Sequence, residues 1–378
     1  MSRYTLRGST ELDARIDADL ARVAADLAAA PDAPLFRGLA LMGGYGRGEG
    51  TPLIRDGVQL PFNDYDLVVV SKPLGRFRRA RVQARLRRLE DQLTRELGLP
   101  VDLCLYPENR LPQAEFSLLN YELKHGHRVI WGDPACLAAL PDYRHNTVPP
   151  VEGTRLLLNR GKLLLDLRRR RRAPLPLTAA EHEQAVKFVL KAWLAFGDAA
   201  LLLRRCYPRH ALDRKRLLHE AHLDGLLEAP LIIRDYQRTI DFKNWGDTAF
   251  FAAFDLPGEL ARTCATFRTF FFWYESARLG RPLPDAATYA AALLRASDCE
   301  DNPFKALALN LLLLKNGGLR SSWRWLAAHP RRRLYVALPD LVASDAPAPL
   351  AANLLGLPAT AGRDATEREF LRLRCRLS

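Results

Sequence analysis

The sequence has little from which to build a metal-stapled or membrane-spanning protein. Its six cysteines, Cys104, Cys136, Cys206, Cys264, Cys299 and Cys375, are scattered, with no CxxC pair and no Cys/His cluster at zinc-ligand spacing. Neither a zinc module nor a disulfide framework is therefore expected. In a reducing compartment the expectation is free thiols, mostly buried. Long apolar runs are also missing. The longest, near Leu307 to Leu314, makes about two helical turns and ends at Lys315, well short of a bilayer. The first residues, Met1 to Leu6, lead straight into charged residues without the apolar core of a signal peptide. A cytoplasmic protein with no membrane partner is therefore expected. The histidines show neither HxE nor HExxH spacing, and no Gly-Lys-Ser/Thr marks a phosphate-binding P-loop.

What is present suits a globular chain of two packed regions: 378 residues, 48% hydrophobic and 26% charged. The formal net charge is +13. A phosphate-bearing partner such as nucleic acid would explain that balance. So would an arginine-, alanine- and leucine-rich composition of the kind a GC-rich genome produces.

Periodicity changes along the chain. Ser9 to Ala30 reads as an amphipathic helix closed by Pro31 and Pro34, and Phe36 to Met42 as a short buried strand. A glycine cluster, Gly43 to Gly50, follows, then a loop or hairpin excursion around Asp56-Gly57. Asp64 to Ser71 is a valine-rich strand, Arg76 to Leu97 a long basic amphipathic helix, and Val101 to Tyr106 another strand. These elements predict a small mixed α/β sheet domain over residues 1–147. From 148 to 378, beyond the Pro149-Pro150 pair, helical spacing dominates: 152–172, 179–205, 214–227, 258–279, 285–296 and 304–315. A strand signal returns only at Arg333 to Leu338. The expected fold class is α/β in the α+β sense, a mixed-sheet domain followed by an all-helical one.

The chemistry concentrates in Gly43-Gly44-Tyr45-Gly46-Arg47-Gly48-Glu49-Gly50, followed by Asn63-Asp64-Tyr65-Asp66-Leu67. Glycines after a strand let the backbone approach a ligand closely. Carboxylates at i and i+2 on a strand share a face, and Asp64 and Asp66 so placed repel one another unless a cation lies between them. A solvated strand start is the plain alternative for such a pair. Asp102 stands among Val101, Leu103 and Leu105, where an isolated carboxylate is costly unless paired with an arginine or bound to metal. Should its strand neighbour Asp64 and Asp66, three carboxylates converge into a site for two divalent ions about 3.5–4 Å apart, suited to displacement at phosphorus. A dinucleotide fingerprint is not met: the third glycine of Gly44-x-Gly46-x-Gly48 comes one residue early, and Asp-x-Asp opens a strand.

This combination, Gly-Gly-Tyr-Gly-Arg-Gly-Glu, then Asp-x-Asp-Leu, then a later strand Asp, resembles the nucleotidyltransferases of the DNA polymerase beta superfamily. The glycine segment looks most like the catalytic domain of nitrogen-regulatory protein uridylyltransferases. The resemblance spans about residues 36–135, including Tyr121 to Gly126 and Gly132-Asp133-Pro134. It implies transfer of a nucleoside monophosphate from a nucleoside triphosphate to a hydroxyl acceptor, with pyrophosphate released. Asp64, Asp66 and Asp102 would be catalytic and would bind two Mg²⁺ ions, with Mn²⁺ as an alternative. Asp102 would also help deprotonate the acceptor. Gly43 and Gly44 would hold the triphosphate through backbone amides, with Arg47 as a phosphate contact. The stretch Lys191 to Ala199 is similar to the helical region covering the nucleotide in such enzymes, so Lys191, one turn beyond Lys187, joins the nucleotide-binding set; a solvated helix face is its alternative. A protein or small-molecule acceptor is favoured, with an RNA 3′ end left open. A non-catalytic nucleotide- or RNA-binding module of the same fold is the competing function.

Two departures stand out. The gap between Gly44 and Asp64 is lengthened by residues 51–62, read as an added loop beside the site. The hydrolytic His-Asp signature of the nitrogen-regulatory enzymes is missing. Glu49 is read as the partner of Arg47 or Arg55, with a third metal-side acid as its alternative. The run Arg168 to Arg172 is read as a solvated basic turn, with binding to nucleic acid or to an acidic protein as its alternative. Phe267 and Phe270 to Tyr274 read as helix core, as do Trp323 and Trp325.

Overall fold

The computed structural model describes residues 2–172, 176–296, 303–315 and 325–377. Cys299 and Trp323 lie outside them. The chain forms an α+β fold in two compact units. The first comprises Met1–Pro149, Arg205–Leu217 and Gln237–Ala252; the second comprises Pro150–Arg204, Leu218–Tyr236 and Ala253–Ser378. No helix among the described residues is long and apolar enough to cross a membrane.

The first unit opens with α1 (Thr10–Ala29). Ser9 caps it by accepting from the Leu12 N–H, and Glu11 and Asp13 sit in the first turn, where the helix dipole favours acids. Leu12, Ile16, Leu20, Val23 and Leu27 recur at helical spacing and are fully buried, each contributing about 1.5–3 kcal/mol. Next come β1 (Phe36–Leu41), the single turn α2 (Gly43–Gly46), the hairpin β2 (Pro52–Arg55) and β3 (Val58–Pro61), and β4 (Tyr65–Ser71). They are followed by α3 (Arg76–Leu97), β5 (Val101–Pro107), α4 (Leu118–Gly126) and β6 (Arg128–Gly132).

Four strands form one sheet in the order β5-β4-β1-β6. β1 runs antiparallel to both β4 and β6, while β4 and β5 are parallel. Strand alternation sorts two cores. Tyr65, Leu67 and Val69 of β4 and Val101, Leu103 and Leu105 of β5 pack with α1 and with Val82, Leu86 and Leu93 of α3. Val68 and Val70 face the other way, onto Leu123, Leu137 and Leu140. β5 is an edge strand, and α3 covers its outward donors: Thr94 Oγ1 accepts from the Val101 N–H (3.0 Å) and Glu90 Oε1 from the Leu103 N–H (3.1 Å).

Residues 51–62 fold as the hairpin. Asp56 and Gly57 make its two-residue turn with φ of 51° and 77°, the left-handed conformations that a tight hairpin turn demands. β2 also pairs in parallel with the short β7 (Gly246–Asp247). Between β6 and β7 come α5 (Val151–Arg171), α6 (Ala179–Leu203), α7 (Ala211–His219) and α8 (Ala229–Asn244). α7 stops earlier than the 214–227 spacing predicts, and Gly225 adopts a left-handed φ of 76° beyond it.

After β7 the chain continues as α9 (Thr248–Ala252), α10 (Leu256–Leu279), α11 (Ala286–Leu293), α12 (Pro303–Lys315), α13 (Arg331–Ala343), α14 (Pro349–Leu354) and α15 (Arg363–Arg376). Among the described residues the second unit holds no strand. Arg333 to Leu338, expected as a strand, lies inside α13. Every residue from Arg332 to Pro339 is buried, and a short apolar run hidden on all sides carries no periodicity to separate strand from helix. α5, α6, α10 and α13 pack on one another, with Phe267, Phe270, Phe271, Phe272 and Tyr274 buried as the sequence suggests; Trp273, also read as core, is only half-buried. Arg168 to Arg172 does not form a solvated turn. It is the last turn of α5 and its C-cap, and four of its arginines meet acids: Asp345, Glu367, Glu181 and Asp364. The thiols are less buried than expected, since Cys104 and Cys375 are exposed.

Candidate active site

Parallel pairing of β4 and β5 sets Asp66 directly opposite Asp102. Asp64, two residues before Asp66, falls on the same face by alternation. One carboxylate oxygen from each of the three lies within 4.8 Å of the others; Asp64 and Asp66 are half-buried and Asp102 is exposed. The face they share is opposite to Tyr65 and Leu103, which are core. The acids thus occupy the end of the sheet where β4 and β5 begin and β1 finishes.

The glycine turn leaves β1 at that same end. The Met42 N–H donates to the Asp66 carbonyl (2.8 Å), and Gly43 follows with φ of 66°. A β-carbon on Gly43 would stand 2.2 Å from Asp66 Oδ2 and displace that carboxylate, and the left-handed φ also favours glycine. The turn is fixed by Tyr45, fully buried against Tyr65 with ring centroids 5.3 Å apart. Its hydroxyl accepts from the N–H groups of Phe62 (2.8 Å) and Asn63 (3.2 Å) and donates to the Thr51 carbonyl (3.3 Å). Asn63 Oδ1 in turn accepts from the Thr51 N–H (3.1 Å). One side chain of the glycine motif therefore closes the base of the hairpin and fixes the chain just before Asp64. Burial pushes the Tyr45 hydroxyl far above its usual pKa, so it stays protonated as this clamp requires.

Beyond Tyr45 the turn carries a second cluster. Arg47 Nε pairs with Glu49 (3.3 Å) and Arg47 Nη1 with Glu122 of α4 (3.1 Å). Glu49 also accepts from the Ala211 N–H (2.8 Å) and contacts His210 Nδ1 (3.2 Å), while the Tyr207 hydroxyl donates to Glu122 (2.9 Å). Burial opposes ionisation of Glu49, but Lys243, Arg47 and Arg214 outweigh it and hold the carboxyl below its usual range. Glu122 is also lowered: burial opposes ionisation, and Arg47, Arg214 and the Tyr207 hydroxyl overcome it. Lys243 is pushed down to about 8, first by burial and then by Arg47 and Arg214.

The structure brings Asp64, Asp66, Asp102 and Gly43 together. Gly44 is the next residue of the turn, and a β-carbon on it would meet the Glu49 carbonyl at 3.3 Å. Arg47 is buried within the ion cluster. Lys191 lies on α6, in the second unit. The roles of Tyr45, Asn63, Glu122 and Lys243 escape a sequence reading. Tyr45 sits inside the motif, but its partners are set by the hairpin, and Lys243 follows the motif by almost 200 residues.

Three carboxylates supply only hard oxygen ligands, the donor set preferred by Mg²⁺ and Mn²⁺ over softer metals. No protein-family model matches the chain, and a search of curated proteins finds no match. Among solved structures, the crystal structure of spectinomycin adenyltransferase AAD(9) from Enterococcus faecialis with ATP and spectinomycin is similar over 63% of this chain and 98% of that one. The identity is 13% and the TM-score 0.31.

Proposed function

We propose that the chain is a Mg²⁺-dependent nucleotidyltransferase with a polymerase-beta-like catalytic domain. It moves a nucleoside monophosphate from a nucleoside triphosphate to a hydroxyl on a protein or small molecule. The observation that carries this reading is the pairing of Asp66 with Asp102 across β4 and β5, with Asp64 beside them and Gly43 against Asp66.

Asp64, Asp66 and Asp102 would hold the divalent ions, which when bound neutralise charge on the triphosphate and activate the attacking oxygen. The rest falls to the chain's own groups. Gly43 and Gly44 present backbone with no side chain in the way, so phosphate oxygens can come close to the acids. Asp102, the exposed member, takes the proton from the acceptor hydroxyl. The acceptor oxygen bonds to the α-phosphorus as the bond to the bridging oxygen breaks, and pyrophosphate leaves. Tyr45 and the Arg47–Glu49–Glu122 cluster keep the turn rigid, so that little reorganisation is left for the reacting state. The hairpin, joined to the turn through Tyr45, is the element placed to select the acceptor.

The test is transfer of label from each α-³²P nucleoside triphosphate, with Mg²⁺, with and without cell extract. Label on a protein or small molecule supports the reading and names the acceptor class. Asp64→Ala and Asp66→Ala should abolish it. Undiminished transfer by both variants would remove the acids from the chemistry. A chain that binds nucleotide but transfers nothing to any fraction would be a binding module instead.

A further inference from the structure

The first half of α3 is built against the rules that stabilise a helix. Seven arginines fall between Arg76 and Arg88, and its acids, Glu90, Asp91 and Glu96, appear only afterwards. The positive charges therefore crowd the helix N-terminus, the positive end of the dipole, while the acids lie toward the negative end. Arg76/Arg79, Arg78/Arg81 and Arg85/Arg88 are like charges three apart, and Arg81/Arg85 four apart, which repel across one turn. Gly75, the N-cap, supplies no side-chain acceptor. None of this helps α3 to fold.

The run at Arg168–Arg172 gives an internal comparison. There the arginines stand at a helix C-terminus, where the dipole favours them, and four have acidic partners. In α3, Arg85 pairs with Asp32 (2.9 Å). Arg76, Arg78, Arg79, Arg81, Arg87 and Arg88 form no ion pair among the described residues.

The arginines are also ordered in space. At 3.6 residues per turn, Phe77, Ala80 and Ala84 fall in one strip opposite the buried Val82 and Leu86. All three are exposed, Phe77 by 88%. Arg76 and Arg87 flank the strip on one side, and Arg81, Arg85 and Arg88 on the other. A shallow path floored by an aromatic ring and two small residues, with guanidinium groups along both edges, is complementary to a single strand: bases lie over the floor and phosphates meet the edges. An anionic membrane would need an apolar face, and the apolar face of α3 is committed to the sheet.

We propose that α3 is a binding surface for single-stranded nucleic acid. The surface stands apart from nucleotidyl transfer and does not depend on it.

Binding of a fluorescein-labelled single-stranded 20-mer, as RNA and as DNA, to the full chain by anisotropy over a salt series tests it. Wild-type protein should bind at low salt, and the log–log slope should be about −0.7 for each phosphate that the protein neutralises. A quadruple variant, R76Q/R81Q/R87Q/R88Q, should bind about tenfold more weakly or worse, with a shallower slope. Its melting temperature should equal or exceed that of wild type, which separates lost binding from lost folding. A second quadruple variant, R110Q/R144Q/R281Q/R368Q, removes equal charge elsewhere and should bind nearly as wild type. Phe77→Ala should weaken binding about tenfold with the slope unchanged. Asp64→Ala should bind as wild type. Absence of binding to both strands at low salt would overturn the proposal. So would equal losses in the two quadruple variants, or preference for phosphatidylserine vesicles over either strand.

Discussion

Gly43 and Asp66 are in such close approach that a single methyl group on the former would fall 2.2 Å from a carboxylate oxygen of the latter. The turn that would receive the phosphates and the acid that would hold the metal thus share one wall. Gly43→Ala has two costs. The left-handed φ of 66° costs about 1–2 kcal/mol for an alanine, and the β-carbon pushes Asp66 out of line. Transferase activity should fall at least about a hundredfold, as expected when a charge-stabilising group is misplaced. Near-normal activity with an unchanged melting temperature would contradict this geometry.

Three carboxylates with oxygens within 4.8 Å of one another repel when no cation lies between them. Asp66→Asn should therefore raise the melting temperature in chelator-treated buffer. The same variant should lose the rise that Mg²⁺ gives wild type, a rise of about 2.7 kcal/mol in stability at a hundredfold excess over Kd. Calorimetry with and without Mg²⁺ reads both changes, and an equal Mg²⁺ response in the two proteins would argue against metal at this site.

The Tyr45 hydroxyl serves the N–H groups of Phe62 and Asn63 and the carbonyl of Thr51. Tyr45→Phe strands these buried groups and should cost about 1–3 kcal/mol in chemical denaturation. Because the clamp fixes the chain before Asp64, the Mg²⁺ concentration for half-maximal activity should also rise. A stability loss with unchanged Mg²⁺ dependence would confine Tyr45 to the hairpin.

Lys243 titrates near 8 in the folded protein, below the ordinary value of 10.5. Below about 8 the folded state holds a charge that its surroundings disfavour. Between about 8 and 10.5 the unfolded chain binds more protons than the folded one, so this group makes stability rise with pH in that window. Lys243→Met should melt higher than wild type at pH 7, and the difference should shrink as pH approaches 10.5. A difference that stays constant from pH 7 to 10.5 would mean that Lys243 is charged throughout.

Much of the first unit was legible because its signals are local. Ser9 before an apolar stripe marks α1, Asp56-Gly57 between short alternating runs marks a hairpin, and the run Leu67-Val68-Val69-Val70 marks a strand. The α13 segment misled because its strand-forming residues are buried on every side. Arg168–Arg172 misled because its acids come from positions up to about 200 residues away, such as Glu367. Nothing near Lys243 announces that it joins Arg47, Glu49, Glu122 and Arg214.

The chain by itself fixed which groups exist and their local order: a glycine turn, two acids on one face of a strand, and a third acid in another strand. Periodicity of two and the left-handed freedom of glycine operate over a few residues, so no partner is needed to read them. Only the tertiary structure decided that β5 lies beside β4 in the register that sets Asp102 against Asp66, and that the Tyr45 hydroxyl reaches the hairpin base. Strand order and register are chosen by the burial of Leu67 and Leu103 together with α1 and α3, a sum over distant residues that no short stretch of sequence contains.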